Sequence, residues 1–180
     1  MSAKLKVVAI SGSLQVPSRT TALIREIVAE LAKTREIEFK LIEMTQIGRQ
    51  VGACFTRAEL PAAIQADLAE VEAADLIIAA SPVYRGTFTG IFKHFVDLIG
   101  WDKLYNKPVL VAASGGSDRH ALVLEHQLRP LFATMQANVL PVGVYASEAD
   151  YSNYVVDSAA LKDRIKLAIE RANPFLIATN

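Results

Sequence analysis

The chain has 180 residues, of which 52% are hydrophobic and 21% charged, enough apolar side chain for the core of one domain, expected to span residues 1–180. Nineteen basic residues balance nineteen acidic ones, so the zero formal charge argues against nucleic acid and anionic membranes as partners. The single cysteine excludes an internal disulfide, and the apolar runs are far shorter than the roughly 20 residues of a membrane helix. With no signal-peptide pattern in the first dozen residues, we expect a cytoplasmic protein.

Five short apolar runs alternate with helical patterns along the chain. The runs are β-branched and bounded by turn residues, which is typical of buried strands, and the segments between them repeat apolar residues every three or four positions. The expected strands are 6–10, 37–42, 76–80, 108–113 and 139–145, and the expected helices are 20–33, 62–73, 89–99, 120–136 and 158–172. Residues 44–60 carry neither pattern and are expected to form a long irregular connection, a candidate flap.

This alternation predicts a doubly wound α/β domain with helices on both faces of a parallel sheet. Five strands at this length favour the flavodoxin-like strand order 2-1-3-4-5 over the six-stranded dinucleotide fold. Ligands of such sheets bind at the carboxyl ends of the strands, where the loops after strands 1, 3 and 4 meet. The ligand-binding residues are therefore expected in those three loops.

The loop after strand 1 favours a phosphate site. Its hydroxyl groups cluster where a helix begins, and a helix N-terminus offers unpaired N–H groups and partial positive charge. The candidate ligands are Ser11, Ser13, Ser18 and Thr20, with Arg19 as the counter-charge. The alternative is that these residues are ordinary helix caps, Ser18 or Thr20 being the cap of the helix. The loop has one glycine and no Walker lysine, so a monophosphate such as that of FMN fits better than a triphosphate or a pyrophosphate.

The loops after strands 3 and 4 suit a flat ring. Pro82 stiffens backbone groups that can bond the polar edge of an isoalloxazine, and Tyr84 offers an apolar wall. Glycines after strand 4 let the backbone approach the same ligand, although a plain turn is the alternative for both loops. The predicted ring-binding residues are Pro82, Val83, Tyr84, Arg85, Gly86, Ser114, Gly115, Gly116 and Ser117.

Together these motifs resemble the NAD(P)H-dependent FMN reductases over nearly the whole chain. The resemblance is carried by Gly12-Ser13, Ser18-Arg19-Thr20, Ser81-Pro82-Val83-Tyr84, Gly90, Lys93 and Gly115-Gly116. It is strongest to the reductases of two-component alkanesulfonate and methanesulfonate monooxygenase systems, which hand reduced FMN to a separate oxygenase. The resemblance implies that residues 82–86 and 114–117 hold the ring and that the FMN phosphate is held by Ser11, Ser13, Ser18, Arg19 and Thr20.

One position departs from the alkanesulfonate type. Reductases of that type have a tyrosine at an inserted residue that makes a π-bulge in the fourth helix, whereas the matching position here is His126. Pro130 has no N–H for the carbonyl of residue 126, so this helix needs either a widened π turn or a simple kink. The departure favours the methanesulfonate branch.

The activity that the resemblance implies is hydride transfer from NADH or NADPH to FMN, followed by release of reduced FMN. The cofactors carry this chemistry, so no catalytic acid or base is assigned, and Arg85 is the candidate to stabilise the charge of the reduced ring. No metal is expected, since the three histidines lack metal-ligand spacing. Two alternatives stay open: a reductase of the same fold that retains its flavin and reduces quinones, azo dyes or chromate, and a non-enzymatic electron carrier. The neutral composition argues against the carrier, because flavodoxin-like carriers are strongly acidic.

Two helices predict a homo-oligomer, most simply a tetramer built from dimers. Their apolar residues extend around each helix more widely than one sheet face can cover. The residues are Ile91, Phe92, Phe95, Val96, Leu98 and Ile99 on one helix, and Leu122, Val123, Leu124, Leu128, Leu131, Phe132 and Met135 on the other.

Overall fold

The strands of the predicted sheet are all present in a computed structural model that describes residues 4–177. The six terminal residues of the predicted 1–180 domain lie outside this range. The strands are β1 Leu5–Ser11, β2 Ile37–Glu43, β3 Leu76–Pro82, β4 Pro108–Gly115, β5 Asn138–Val139, β6 Val144–Ser147, β7 Tyr151–Ser152 and β8 Val155–Val156. The α-helices are α1 Arg19–Ala32, α2 Met44–Val51, α3 Ala62–Glu72, α4 Gly90–Asp97, α5 Arg129–Thr134 and α6 Ala159–Ala172.

The main sheet is parallel, with the order β2-β1-β3-β4 and then a fifth strand made of β5 and β6. This is the predicted flavodoxin-like order 2-1-3-4-5. Side chains alternate between the two faces of each strand. In β1, Val8 and Ile10 join a core with α2, α3, α4 and α5, whereas Val7 and Ala9 join a second core with α1 and α6. Both faces of the sheet are therefore covered.

The fifth strand is interrupted, which corrects the expectation of one strand over 139–145. Asn138 pairs with Pro108 and Val144 with Ala112, and the N–H of Leu140 donates to the carbonyl of Val109 at 2.9 Å, but residues 141–143 have no pairing partner in β4. Pro141 lies in this gap and has no N–H to donate to a neighbouring strand.

The expected irregular flap over 44–60 is wrong at its start, because α2 forms there. Met44 and Val51 are buried and Ile47 is partly buried, a spacing of three and four residues that places them on one face. Gly48 faces α4, since a Cβ at this position would lie at van der Waals distance, 3.4 Å, from the Cγ1 atom of Ile91. The helix was missed because Gly48 and four polar residues leave only three apolar positions in its eight residues.

The expected helix over 120–136 is divided into three parts. A 3-10 turn spans Asp118–His120, a π turn spans Leu124–Leu128, and α5 follows. The choice between a kink and a widened turn is thereby resolved in favour of the π turn, which ends two residues before Pro130. The missing N–H of Pro130 explains why the narrower turn cannot continue.

The apolar surface used to predict an oligomer is mostly covered within the chain. Phe92, Phe95 and Val96 of α4 are buried, with α2 packed against this helix. Of the thirteen residues in that argument, only Leu122 is strongly exposed, at 65%. The premise is thus wrong for α4, and the oligomeric state stays a prediction. Among residues 4–177, no helix has the length and apolar character needed to cross a bilayer.

Candidate functional site

A cleft lies where the loops after β1, β3 and β4 meet, at the predicted edge of the sheet. The N–H of Gly12 donates to the carbonyl of Ala80 at 2.8 Å, and the N–H of Val83 donates to the carbonyl of Ser114 at 2.8 Å. These bonds extend the ladder beyond the strands and bring the loops together. The cleft is lined by Ser13, Gln15, Pro17, Ser18, Arg19, Thr20, Pro82, Val83, Tyr84, Ser114, Gly115, Gly116 and Tyr154.

All but four of the predicted site residues line this cleft. Ser11 is fully buried, and its hydroxyl lies 3.1 Å from the hydroxyl of Thr21, so it supports the loop from inside. Ser117 accepts a hydrogen bond at its carbonyl from the Tyr145 hydroxyl at 2.6 Å. Arg85 and Gly86 lie at an exposed turn beside the cleft. These four residues frame the cleft and do not line it.

The hydroxyl groups at the start of α1 already have partners. Ser18 is the helix cap, since its hydroxyl accepts from the Thr21 N–H at 3.1 Å. The Thr20 hydroxyl lies 2.6 Å from that of Ser114, which ties the first loop to the end of β4. Ser13 exchanges hydrogen bonds with the backbone of Gln15. At this end of the cleft, an anion can therefore be bound by the first-turn N–H groups of α1 and by Arg19. The hydroxyl groups can contribute only by rotating away from their present partners.

Arg19 is the one charged residue among those lining the cleft. Its Nη2 atom lies 2.5 Å from the Oε1 atom of Glu148, and its guanidinium carbon lies 5.3 Å from the centre of the Tyr154 ring. Among residues 4–177, its buried Nε atom has no hydrogen-bond partner. The side chain as a whole is 37% exposed, and a guanidinium is a charged donor that suits an anionic oxygen such as that of a phosphate.

A tight turn over residues 84–87 forms the other end of the cleft. The N–H of Tyr84 donates to the carbonyl of Thr87 at 2.8 Å, and the N–H of Thr87 donates back at 3.2 Å. Arg85 has a φ of 53° and Gly86 a φ of 85°, as in the type I′ turns that close β-hairpins. The Thr87 hydroxyl donates to the Oε1 atom of Gln127 at 2.9 Å, so the π turn holds this loop.

The two neighbouring glycines after β4 differ in their surroundings. A Cβ on Gly115 would lie 2.1 Å from the Tyr145 hydroxyl oxygen, so packing requires glycine there. A Cβ on Gly116 would meet no protein atom within 4 Å. Burial raises the pKa of Tyr145, so its hydroxyl stays a proton donor to Ser117 at neutral pH. Gly116 thus leaves room for a ligand in the cleft, whereas Gly115 is packed against Tyr145.

Sequence reasoning missed three residues that line the cleft. Gln15 and Pro17 belong to the loop that was predicted to bind phosphate, but neither is a typical phosphate ligand. Tyr154 comes from the hairpin of β7 and β8, which was not predicted at all. Its two-residue turn is Asn153-Tyr154, with φ values of 47° and 64°, and lacks the glycine that usually marks such turns. Asn153 was the only local signal.

Comparison with known proteins gives consistent matches. The family model described as NADPH-dependent FMN reductase matches residues 5–151. The chain is 56% identical to the NADH-dependent FMN reductase SfnE of Pseudomonas putida over 97% of this chain and 94% of that protein. It is 53% identical to an FMN reductase (NADPH) of Pseudomonas aeruginosa, over 97% and 94%. A solved oxidoreductase from Corynebacterium diphtheriae superposes with a TM-score of 0.83 at 27% identity, over 97% and 98% of the two chains.

Proposed function

This chain belongs to the NADPH-dependent FMN reductase family, and from that premise we propose that its cleft binds FMN and a nicotinamide cofactor and that reduced FMN leaves for a separate sulfonate monooxygenase. The protein is an oxidoreductase that uses NAD(P)H to reduce FMN. The observation that supports the site is the cleft itself. It has the guanidinium of Arg19 at one end and open space beside Gly116.

The residues of the cleft fit FMN as a substrate. We assign the phosphate to the start of α1, where Arg19 and the first-turn N–H groups supply donors. We assign the ring to the space between Tyr84 and the backbone at Gly115 and Gly116. When bound, FMN accepts hydride from the nicotinamide, so the chain has to bind, orient and exclude water rather than move a proton. Arg85 remains the proposed partner for the charge of the reduced ring, from its exposed place on the turn.

The test is steady-state oxidation of NADH and of NADPH, measured separately with added free FMN. We expect the rate to depend on free FMN and oxygen to consume the released product without a partner protein. A rate carried entirely by flavin that stays bound through purification would instead favour the alternative reductase of quinones, azo dyes or chromate. Protein that binds FMN tightly but does not oxidise NAD(P)H would favour the electron carrier. The relatives named above include one NADH- and one NADPH-dependent enzyme, so both donors are compared.

The sulfonate monooxygenase as the acceptor of reduced FMN is proposed from the sequence resemblance, with His126 in the π turn favouring the methanesulfonate branch. A homotetramer and a cytoplasmic location also stay predictions from the sequence. Of the residues on which the tetramer was argued, Leu122 on the helical region after β4 is the one left strongly exposed. Light scattering of a 19.6 kDa monomer at micromolar concentration, with and without FMN, would contradict the tetramer.

A further inference from the structure

Glu148 lies against Arg19, with its Oε1 atom 2.5 Å from the Nη2 atom of the guanidinium. It is the first residue of a 3-10 turn, Glu148–Asp150, that directly follows β6. The carboxylate of Asp150 accepts hydrogen bonds from the N–H and the hydroxyl of Ser147, at 2.8 and 3.1 Å, and closes the turn. The turn therefore places the backbone of Glu148 beside the guanidinium, and the contact itself is made by the exposed side chain.

We propose that Glu148 competes with the flavin phosphate for Arg19 and thereby sets a low affinity for FMN, so that the flavin is released. This inference rests on the proposed function and adds a positioning residue that acts through Arg19. It assigns Glu148 a role in letting the product leave, not in the hydride transfer.

The charges around the cleft support this role. Arg19 is the one charged side chain lining the cleft, and Glu148 already occupies its Nη2 atom. A phosphate in the cleft finds a guanidinium whose charge is partly balanced, next to a carboxylate of the same sign as itself. The other groups facing Arg19 supply no positive charge: Tyr154 packs on its face, and Tyr151 lies nearby with a buried hydroxyl.

Arg19 has a second contact besides Glu148. Its guanidinium carbon lies 5.3 Å from the centre of the Tyr154 ring, and Tyr154 belongs to the turn between β7 and β8. The side chain of Glu148 is 58% exposed and that of Arg19 37% exposed, so water and salt reduce the competition without removing it.

The test is Glu148→Gln, which keeps a hydrogen-bond acceptor but removes the charge. We expect the dissociation constant for oxidised FMN, measured by titration of flavin fluorescence, to fall on the order of tenfold, as for one charge-assisted contact. Riboflavin, which has no phosphate, should bind as it does to the wild-type protein. The gain for FMN should shrink as salt is added, because the effect is electrostatic.

The matched control is Glu70→Gln, which removes an ion pair with Lys6 at 2.8 Å near the start of β1, at the opposite end of the sheet. We expect this variant to leave both dissociation constants unchanged. A second check is the double variant Arg19→Ala with Glu148→Gln. In that background, the Glu148 substitution should no longer favour FMN over riboflavin.

Two results would overturn the inference. If Glu148→Gln weakens the binding of FMN, the carboxylate orients Arg19 for the phosphate and does not compete with it. If the ratio of FMN to riboflavin affinity is unchanged, Glu148 has no effect on the phosphate. Both readouts are equilibrium binding, so they are independent of NAD(P)H oxidation. A wild-type protein that binds FMN but does not reduce it contradicts the proposed function alone.

Discussion

The two ends of the cleft are built on different principles. At the α1 end, polar side chains are abundant, but Ser18 caps the helix and Thr20 is bonded to Ser114. At the turn over residues 84–87, the shape comes from the backbone, through two residues with positive φ. One end therefore depends on which donors remain unpaired, and the other on where the chain turns.

The comparison shows that a hydroxyl-rich sequence does not by itself indicate how many hydroxyls face a ligand. Ser11 is typical, since it belongs to the predicted phosphate loop and yet is fully buried. Arg19 differs from Ser11, since it lines the cleft and its side chain is 37% exposed. We expect substitutions at the α1 end to act through charge and those near β4 to act through shape.

The largest effect is expected from the two glycines after β4. Gly116→Val should reduce turnover by at least about tenfold with an unchanged melting temperature, because a Cβ at this cleft-lining position meets no atom of the described residues within 4 Å and the branched side chain would take up ligand space. Gly115→Val should lower the free energy of unfolding by about 1–3 kcal/mol, because the added side chain overlaps with Tyr145. Thermal unfolding and NADH oxidation, measured on both variants, separate the two effects. Full activity of Gly116→Val would move the ring away from this loop.

The next effect concerns the phosphate. Ser13→Ala combined with Arg19→Ala should reduce the preference for FMN over riboflavin by at least about tenfold, because charge-assisted hydrogen bonds contribute about 1.5 to 3 kcal/mol each. Fluorescence titration with both flavins measures this ratio. Since riboflavin lacks the phosphate, it is the internal control. An equal loss for both flavins would contradict the assignment of the α1 end.

A smaller effect is expected where the π turn supports the loop. Thr87→Val removes the hydrogen bond to Gln127 and should lower the free energy of unfolding by about 1 kcal/mol. Urea denaturation of Thr87→Val, Gln127→Ala and the double variant gives the coupling between the two side chains. If the two losses add without coupling, the π turn does not support the loop through this bond.

The smallest effect is expected at Arg85. Its side chain is exposed at the tip of the turn and does not line the cleft, so loss of its charge should change turnover by less than about fivefold, as for surface charge interactions of about 1 kcal/mol or less. Arg85→Gly accommodates the positive φ, and Arg85→Lys retains the charge. If Arg85→Gly strongly reduces kcat and Arg85→Lys does not, the charge at position 85 lies much closer to the ring than this turn places it.

Much of the fold could be predicted from the sequence, since it depends on local pattern. The apolar run of β3 and the cap at Ser18 are readable from neighbouring residues, and the structure has both. Helix α2 was missed because Gly48 interrupts the helical spacing of its apolar residues. The break before β6 was missed because Pro141 lies inside an otherwise strand-like run. Such elements depend on what packs against them.

The sequence alone determined the strand order and which three loops meet, because right-handed crossovers in a parallel sheet allow few alternatives. The hydroxyl-bearing and basic residue types at the start of α1 are likewise read from the sequence. Only the tertiary structure decided which of those residues are free to bind. Glu148 and Tyr154 reach Arg19 from more than a hundred residues away, and a contact over that separation leaves no trace in local periodicity.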